Sequence, residues 1–323
     1  MSLTTWTNFD FVRNLTLRGT GKLETIVWCT EGGFYFHNID GLFVESITFV
    51  QCGTDVGLPP PVQEHPEYVQ LAALWFVNVT NLLISQVIFD NSTGYAIDGL
   101  ELGNVSIVGS VFVLNGGQTG GNVYLAISQS SMEKCVQNTS ITVTIQGCIF
   151  AHGTGTFLFR PGLDVFIYSC INVDVIIADS YFLNNTYKGN ANQRTSGNLG
   201  ISIDVGSNPS FITVQNCFIE QGNPNGMYLI VDLWNTLNNS VLCFLEDTSA
   251  SWNTVYIVNT TFTNNSCFIN EFCPGGGMVI HFMQRLCRAT HVYLKDTIFV
   301  ENNGSSIFAS DLQVEDTKAT IFI

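Results

Sequence analysis

One pattern recurs eight times along this chain: apolar, any, apolar, any, a polar or glycine residue, often a small residue, any, Phe. The Phe positions are Phe49, Phe89, Phe112, Phe150, Phe182, Phe218, Phe262 and Phe299. Phe defines the pattern, so its independent test lies in the columns seven and five residues earlier. The first column reads Leu42, Leu82, Val105, Val143, Val175, Phe211, Val255, Val292, and the second Val44, Ile84, Ile107, Ile145, Ile177, Thr213, Ile257, Leu294. Fifteen of these sixteen residues are apolar, against 46% for the whole chain, and most are β-branched. The repeat is genuine.

Two apolar columns two residues apart project to one face of a strand. The residue three before Phe is Ser46, Gln86, Gly109, Gly147, Asp179, Gln215, Asn259 or Asp296, types that suit a bend. The odd step from the apolar pair to Phe then reads as a corner between two strands. Asn recurs two residues after Phe at Asn91, Asn184 and Asn264, where a tolerated left-handed conformation turns the chain again.

Spacing selects the architecture. Intervals between the Phe anchors are 40, 23, 38, 32, 36, 44 and 37 residues. The shortest suffices for three short strands and three corners, and the longer ones add loops. Propeller blades would carry antiparallel hairpins with two-residue turns, and such turns do not bracket these strands. The expectation is all-β: a right-handed parallel β-helix, a solenoid of about eight or more coils, each stacked about 4.8 Å from the last. Residues 1–323 read as a single domain, with 53–70, which holds three consecutive prolines and acidic residues, as a surface loop insertion. Short helical inserts are expected over 131–137 and 282–289.

Composition agrees. Charged residues are only 11% of the chain, too few for helical bundles, and a net charge of −15 leaves no basic footprint for nucleic acid. No apolar run is long enough to span a bilayer as a helix. Ten Cys without a C-x-x-C pair, and ten N-x-S/T sequons, point outside the cell. The sequons begin at Asn14, Asn78, Asn91, Asn104, Asn138, Asn184, Asn238, Asn259, Asn264 and Asn303. The alternative is a turn-rich fold that repeats Asn, Ser and Thr for geometric reasons. No signal peptide is visible, so an extracellular or cell-surface location implies a piece of a longer chain.

The runs NTTFTNN, DTIFVENN, DSYFLNN and NCFIEQ, with glycine-led strands such as GGGMVIHF, resemble the right-handed parallel β-helix repeats of the pectate-lyase-like superfamily. The nearest flavour is the FxxN and GG repeats of bacterial polymorphic outer-membrane passengers and invertebrate extracellular β-helix proteins. The resemblance covers about residues 14–323. It implies the fold and, because several relatives are polysaccharide lyases or hydrolases, raises a carbohydrate-active enzyme as the alternative function.

The residues themselves give that alternative little. No Asp-Asp pair occurs, the Arg residues fall in no lyase-like context, and the five His lack metal-ligand spacing. Gly19-Thr20-Gly21-Lys22 reads as a turn, and the Ile-Asp-Gly-Leu tetrapeptides at Asp40 and Asp98 as Asx turns before strands. Asp174, Asp204 and Asp232 each lie between apolar neighbours and point out of strands; on one face they would form an acidic strip for calcium or sugar hydroxyls, against the simpler reading of three unrelated solvated side chains. No other cofactor is indicated. Cys267 and Cys273 are the best local disulfide candidate, while Cys148 and Cys217 lie near the inward columns as free thiols or stacked small residues. The expected function is a non-enzymatic extracellular rod for structure, adhesion or glycan recognition, with glycans or other extracellular proteins as partners. Aromatics such as Trp75, Tyr124 and Trp252 would present stacking surfaces to sugars.

Overall fold

In the computed structural model, described over residues 2–3, 6–29, 32–53, 72–116, 121–128, 140–155, 161–168, 172–188, 197–204, 210–232, 253–266, 275–283, 290–303, 305–312 and 319–322, every apolar column of the repeat becomes a stacked row. The chain runs through three strands in fixed rotation. One circuit is Ile88–Asp90, Tyr95–Leu100 and Asn104–Val108; the next is Val111–Val113, Val123–Ser128 and Ser140–Gln146. Each strand pairs in parallel with its counterpart one circuit later. The result is three parallel sheets, here sheet I (three-residue strands carrying the Phe column), sheet II and sheet III (the apolar-pair strands). Sheet I has ten strands; sheets II and III are joined because Phe34–Glu45 runs straight through both.

Registers confirm the columns and correct one circuit. Leu42, Leu82, Val105, Val143 and Val175 are register partners in turn, as are Val44, Ile84, Ile107, Ile145 and Ile177. In the next strand, however, the partners of Val175 and Ile177 are Ile212 and Val214, and Phe182 pairs with Ile219. Phe211, Thr213 and Phe218 therefore sit one residue out of frame. Ile212, Val214 and Ile219 are fully buried, whereas Phe211 faces solvent. A one-residue slip exchanges the faces of a strand, and the lone polar residue in the sequence columns, Thr213, marked it.

The Phe rings form a stack in the core between the sheets. Phe49–Phe89, Phe89–Phe112, Phe112–Phe150 and Phe150–Phe182 lie 5.1, 5.2, 4.9 and 4.9 Å apart with planes within 13°. Each such pair contributes about 0.5–1.5 kcal/mol beyond its buried area. Two corners bound this strand. Ser46, Gln86, Gly109, Gly147, Asp179, Asn216, Asn259 and Asp296 all have φ between 46° and 61°. Gln51, Asn91, Leu114, His152, Asn184, Gln221, Asn264 and Glu301, two residues after the Phe row, have φ between 50° and 57°. Left-handed residues at both places turn the chain between sheets, which is why Asn, Asp and Gly recur there.

Just inside the second corner runs a ladder of buried asparagines. Asn115 Nδ2 donates to Asn122 Oδ1 (2.9 Å), Asn122 to Asn185 (2.9 Å), Asn185 to Asn198 (2.7 Å), Asn198 to Asn265 (3.3 Å) and Asn265 to Asn302 (2.9 Å). Nδ2 of Asn115, Asn185, Asn265 and Asn302 also donates to the backbone oxygen of Phe89, Phe150, Ile219 and Phe262, each in the preceding strand of sheet I. Where the column holds glycine, an Asn from the sheet II side reaches in. A Cβ on Gly153 would meet Asn122 Nδ2 at 2.7 Å and Asn185 Oδ1 at 2.9 Å, so glycine here makes room for the ladder. The polar groups that a parallel stack must bury are thus satisfied by one another.

A second column, two residues before the Phe row, holds Ser110, Cys148, Ser180, Cys217 and Thr260. Ser180 Oγ accepts from Cys148 N (3.1 Å) and donates to Ala178 O (2.7 Å), and both thiols point at backbone oxygens. Cys148 and Cys217 are buried free cysteines in hydroxyl positions. Cys29 and Cys52 form a disulfide that the sequence did not reveal, joining consecutive circuits, with Cys52 at the position where later circuits carry Ser92 and Asn115. The expected insert over 282–289 is strand at Phe282 and Met283, within Gly275–Met283. Residues 131–137 and 54–70 lie outside the described residues.

Candidate functional site

With the inward rows occupied by packing, the side chains open to a ligand lie in the outward rows. Sheet III, with strands of five to seven residues, presents a broader outer face than the three-residue strands of sheet I, and sheet II strands of six to nine residues present a comparable one. One outward row runs Phe43, Leu83, Ser106, Thr144, Ile176, Thr213, Tyr256, Tyr293; its neighbour runs Thr142, Asp174, Phe211, Thr254, His291.

Three large side chains stand free in the second half of this face: Phe211 is 48% exposed, Tyr256 41% and Ile176 37%. Tyr256 and Tyr293 stack at 4.8 Å and 16°, the separation of neighbouring strands, so each ring covers one face of the other. The opposite register neighbour of Tyr256 is Thr213, a short side chain, so the other face of Tyr256 overlooks a notch. Thr213 is its floor, Tyr256 and Ile176 are its walls along the rod, and Phe211 flanks it two residues along the same strand. Asp174, half-exposed, is the register partner of Phe211 and closes that corner with a carboxylate. The notch spans two strand steps, about 9.6 Å between the wall residues. In the first half of the same face, Phe43, Leu83, Asn104, Ser106, Thr142 and Thr144 line an open depression of about 250 Å³.

Sheet II carries a different outward row: Tyr35, Trp75, Asp98, Tyr124 and Asp164. Trp6, Tyr35, Ala72, Trp75 and Tyr95 pack into one cluster, with Trp6 and Trp75 edge to face at 6.4 Å. Asp98 is fully buried, and neither carboxylate oxygen has a hydrogen-bond partner. Desolvation alone holds its carboxyl well above the usual carboxylate range. The Asx-turn reading is corrected here: Asp98 lies within Tyr95–Leu100 and Asp40 within Phe34–Glu45, where Asp40 accepts a hydrogen bond from Thr80 Oγ1 at 2.7 Å. Sheet I's outward row with Ile88, Val111, Ile149, Tyr181 and Phe218 is mostly apolar and continues to Thr261, while the outward row beside it carries Asp90, Glu220 and Thr263.

The residues singled out from sequence scatter over these surfaces. Asp204 and Asp232 are register partners in sheet II, whereas Asp174 lies in sheet III, so the three do not share a row. Trp75 is 4% exposed and packed into the sheet II cluster, which removes it as an open stacking surface; Tyr124 is half-buried beside it, and Trp252 lies outside the described residues. Asn14, Asn91, Asn104, Asn184, Asn259, Asn264 and Asn303 are exposed and Asn78 is half-buried; Asn138 and Asn238 lie outside the described residues. Six of these have positive φ (Asn14, Asn78, Asn91, Asn184, Asn259, Asn264), so corner geometry by itself favours Asn there. Cys267 and Cys273 also lie outside the described residues. Among the described residues no group of three or more His, Cys, Asp or Glu is placed to hold a metal ion, and no helix is long and apolar enough to cross a membrane.

Phe211 and Thr213, which the sequence columns place in the core, lie instead in the outward rows. No protein-family model matches the chain, and no curated protein matches it.

Proposed function

We propose that this chain is a right-handed parallel β-helix rod of the kind its repeats resemble, serving outside the cell as a non-enzymatic module for adhesion through glycan recognition. The right-handed reading is supported by a general preference: crossovers between parallel strands of one sheet are right-handed in about 98% of cases. A disulfide joining the first circuits fits an oxidising compartment. The observation that carries the binding reading is the Thr213 notch: an uncovered Tyr256 face beside exposed Phe211, with a hydroxyl and a carboxylate in reach. A sugar offers what that surface needs, apolar C–H faces for the ring and hydroxyls for the polar groups. Screening the whole chain on a glycan array tests it. Retained glycans are expected, and an array without a single hit overturns the reading.

The alternative, a polysaccharide lyase or glycoside hydrolase, is favoured by one observation: Asp98 and Asp164 bracket Tyr124 on neighbouring strands of sheet II, and burial raises the Asp98 carboxyl in the direction a general acid needs. Both carboxyls are buried, at 0% and 6% exposure, which keeps a polymer from reaching them. Turnover of pectin, alginate or chondroitin that disappears in Asp98→Asn would establish the enzyme instead.

A further inference from the structure

Resting on the glycan reading of sheet III, we infer that the notch takes a single neutral sugar ring, inserted as the next member of the Tyr293–Tyr256 stack, and discriminates against anionic glycans.

The size argument comes from the rod's own spacing. Tyr256 and Tyr293 stack at 4.8 Å, and the interior Phe pairs at 4.8 to 5.2 Å. Ile176 and Tyr256 stand two strand steps apart with only Thr213 between them. That gap accommodates one further ring at stacking distance from Tyr256, with its other face on Ile176. A ring so placed rests over the Thr213 hydroxyl and lies beside Phe211 and Asp174. Its hydroxyls donate to the Asp174 carboxylate and exchange a hydrogen bond with Thr213, while its C–H faces meet Tyr256 and Ile176. The arrangement recognises one unit and leaves the rest of the glycan pointing to solvent.

The charge argument is independent. The four strands that build and flank the notch, Ser140–Gln146, Asn172–Ala178, Ser210–Gln215 and Asn253–Val258, contain one charged residue, Asp174, and no Lys or Arg. The next strand brings Lys295 only at its end, followed directly by Asp296. At the far end of the sheet Arg18 is engaged by Glu45 at 2.6 Å. A uronate or sulfate in the notch would therefore meet Asp174 within about one strand spacing, well inside the roughly 8 Å screening length at physiological salt. The chain's net charge of −15 adds long-range repulsion in the same direction.

The test is calorimetric titration of the whole chain with neutral oligosaccharides (gluco-, manno-, xylo- and acetylated chito-oligomers) and anionic ones (oligogalacturonate, alginate, heparin fragments). Wild type is compared with Tyr256→Ala, which removes a wall, and Thr213→Tyr, which fills the notch by extending the ring stack. Both variants alter outward side chains, and the melting profile of Thr213→Tyr serves as the control for folding. The expected result is binding of at least one neutral series, insensitive to salt and weakened at least tenfold in both variants. Binding confined to anionic oligomers and weakened by salt overturns the neutral-sugar inference while leaving glycan recognition standing. Neutral binding that survives Thr213→Tyr overturns the notch as the site. No binding in either series overturns the glycan reading itself.

Discussion

Replacing Asn185 with Ala removes the centre of the asparagine ladder. Its Nδ2 donates to Phe150 O at 2.9 Å and Asn198 Oδ1 at 2.7 Å; its Oδ1 accepts from Gly153 N at 2.8 Å and Asn122 Nδ2 at 2.9 Å. Four buried groups lose a partner at once. Asn198 Oδ1 keeps the Asn185 backbone N–H at 3.3 Å, so three groups are left unsatisfied at about 1–3 kcal/mol each, and water entering the vacated space pulls the total toward the bottom of that range, to about 3 kcal/mol. That is a large fraction of the 5–15 kcal/mol typical of a folded domain. The neighbouring Asn184→Ala provides the comparison. Asn184 is exposed, contacts His152 Nδ1 at 3.2 Å and holds φ +50°, so its loss costs about 1 kcal/mol, mostly from forcing Ala into the left-handed region. Urea unfolding followed by circular dichroism reads both, as a fall in midpoint at unchanged slope. If Asn185→Ala destabilises no more than Asn184→Ala, the ladder does not hold the circuits together and the account of the corner is wrong.

Asp98→Asn is expected to stabilise the protein at neutral pH. Burial raises the folded-state pKa above the unfolded one, so this group's contribution is fully present below the unfolded pKa and is lost as pH rises through the folded value. Wild type should therefore melt progressively lower as pH climbs above the ordinary carboxylate range, and a matching slope in Asp98→Asn would show that the carboxyl is not buried. Burial pushes the thiols of Cys148 and Cys217 up to about 11, so both should resist alkylation at pH 8 in the native protein and react once unfolded, as read by peptide mass mapping. Cys148→Ser should be nearly neutral in stability, within about 1 kcal/mol, because Ser110 and Ser180 already fill the same column. Replacing Cys29 and Cys52 together by Ser should cost roughly 3 kcal/mol from the 23-residue loop they close, measured against the oxidised wild type in urea; an unchanged midpoint would contradict the link between circuits.

The inward half of the structure was legible in the sequence because packing forces periodicity on it. The rows of Leu, Val, Ile and Phe, the left-handed residues at Asp179, Asn259 and Asp296, and the turns at Asn91, Asn184 and Asn264 all follow from one repeat. The error at Phe218 arose because Phe was taken as the anchor by its size. Ile219 beside it fills the interior equally well, and the slip carried Phe211 and Thr213 inward on paper. The first circuit carries no such mark because Val27 stands in the Phe row, which hides the proximity of Cys29 and Cys52. Outward residues carry no such periodic constraint. Tyr256, Tyr293 and Ile176 look in sequence like any strand residues, and only register places them around Thr213. Asp98 departs from the Asx-turn expectation for the same reason: local sequence allows an Asx turn, while the burial that raises the carboxyl's pKa is tertiary.

The central claim is that glycans are recognised on the outer face of sheet III. Hydroxyl-radical footprinting of the whole chain, free and saturated with a glycan retained on the array, tests it most directly. The account predicts protection of Phe211, Tyr256 and Tyr293, with Trp75 and Tyr124 on sheet II and Tyr181 and Phe218 on sheet I unchanged. Protection of either of those other faces, with Tyr256 left as reactive as in the free protein, would contradict it.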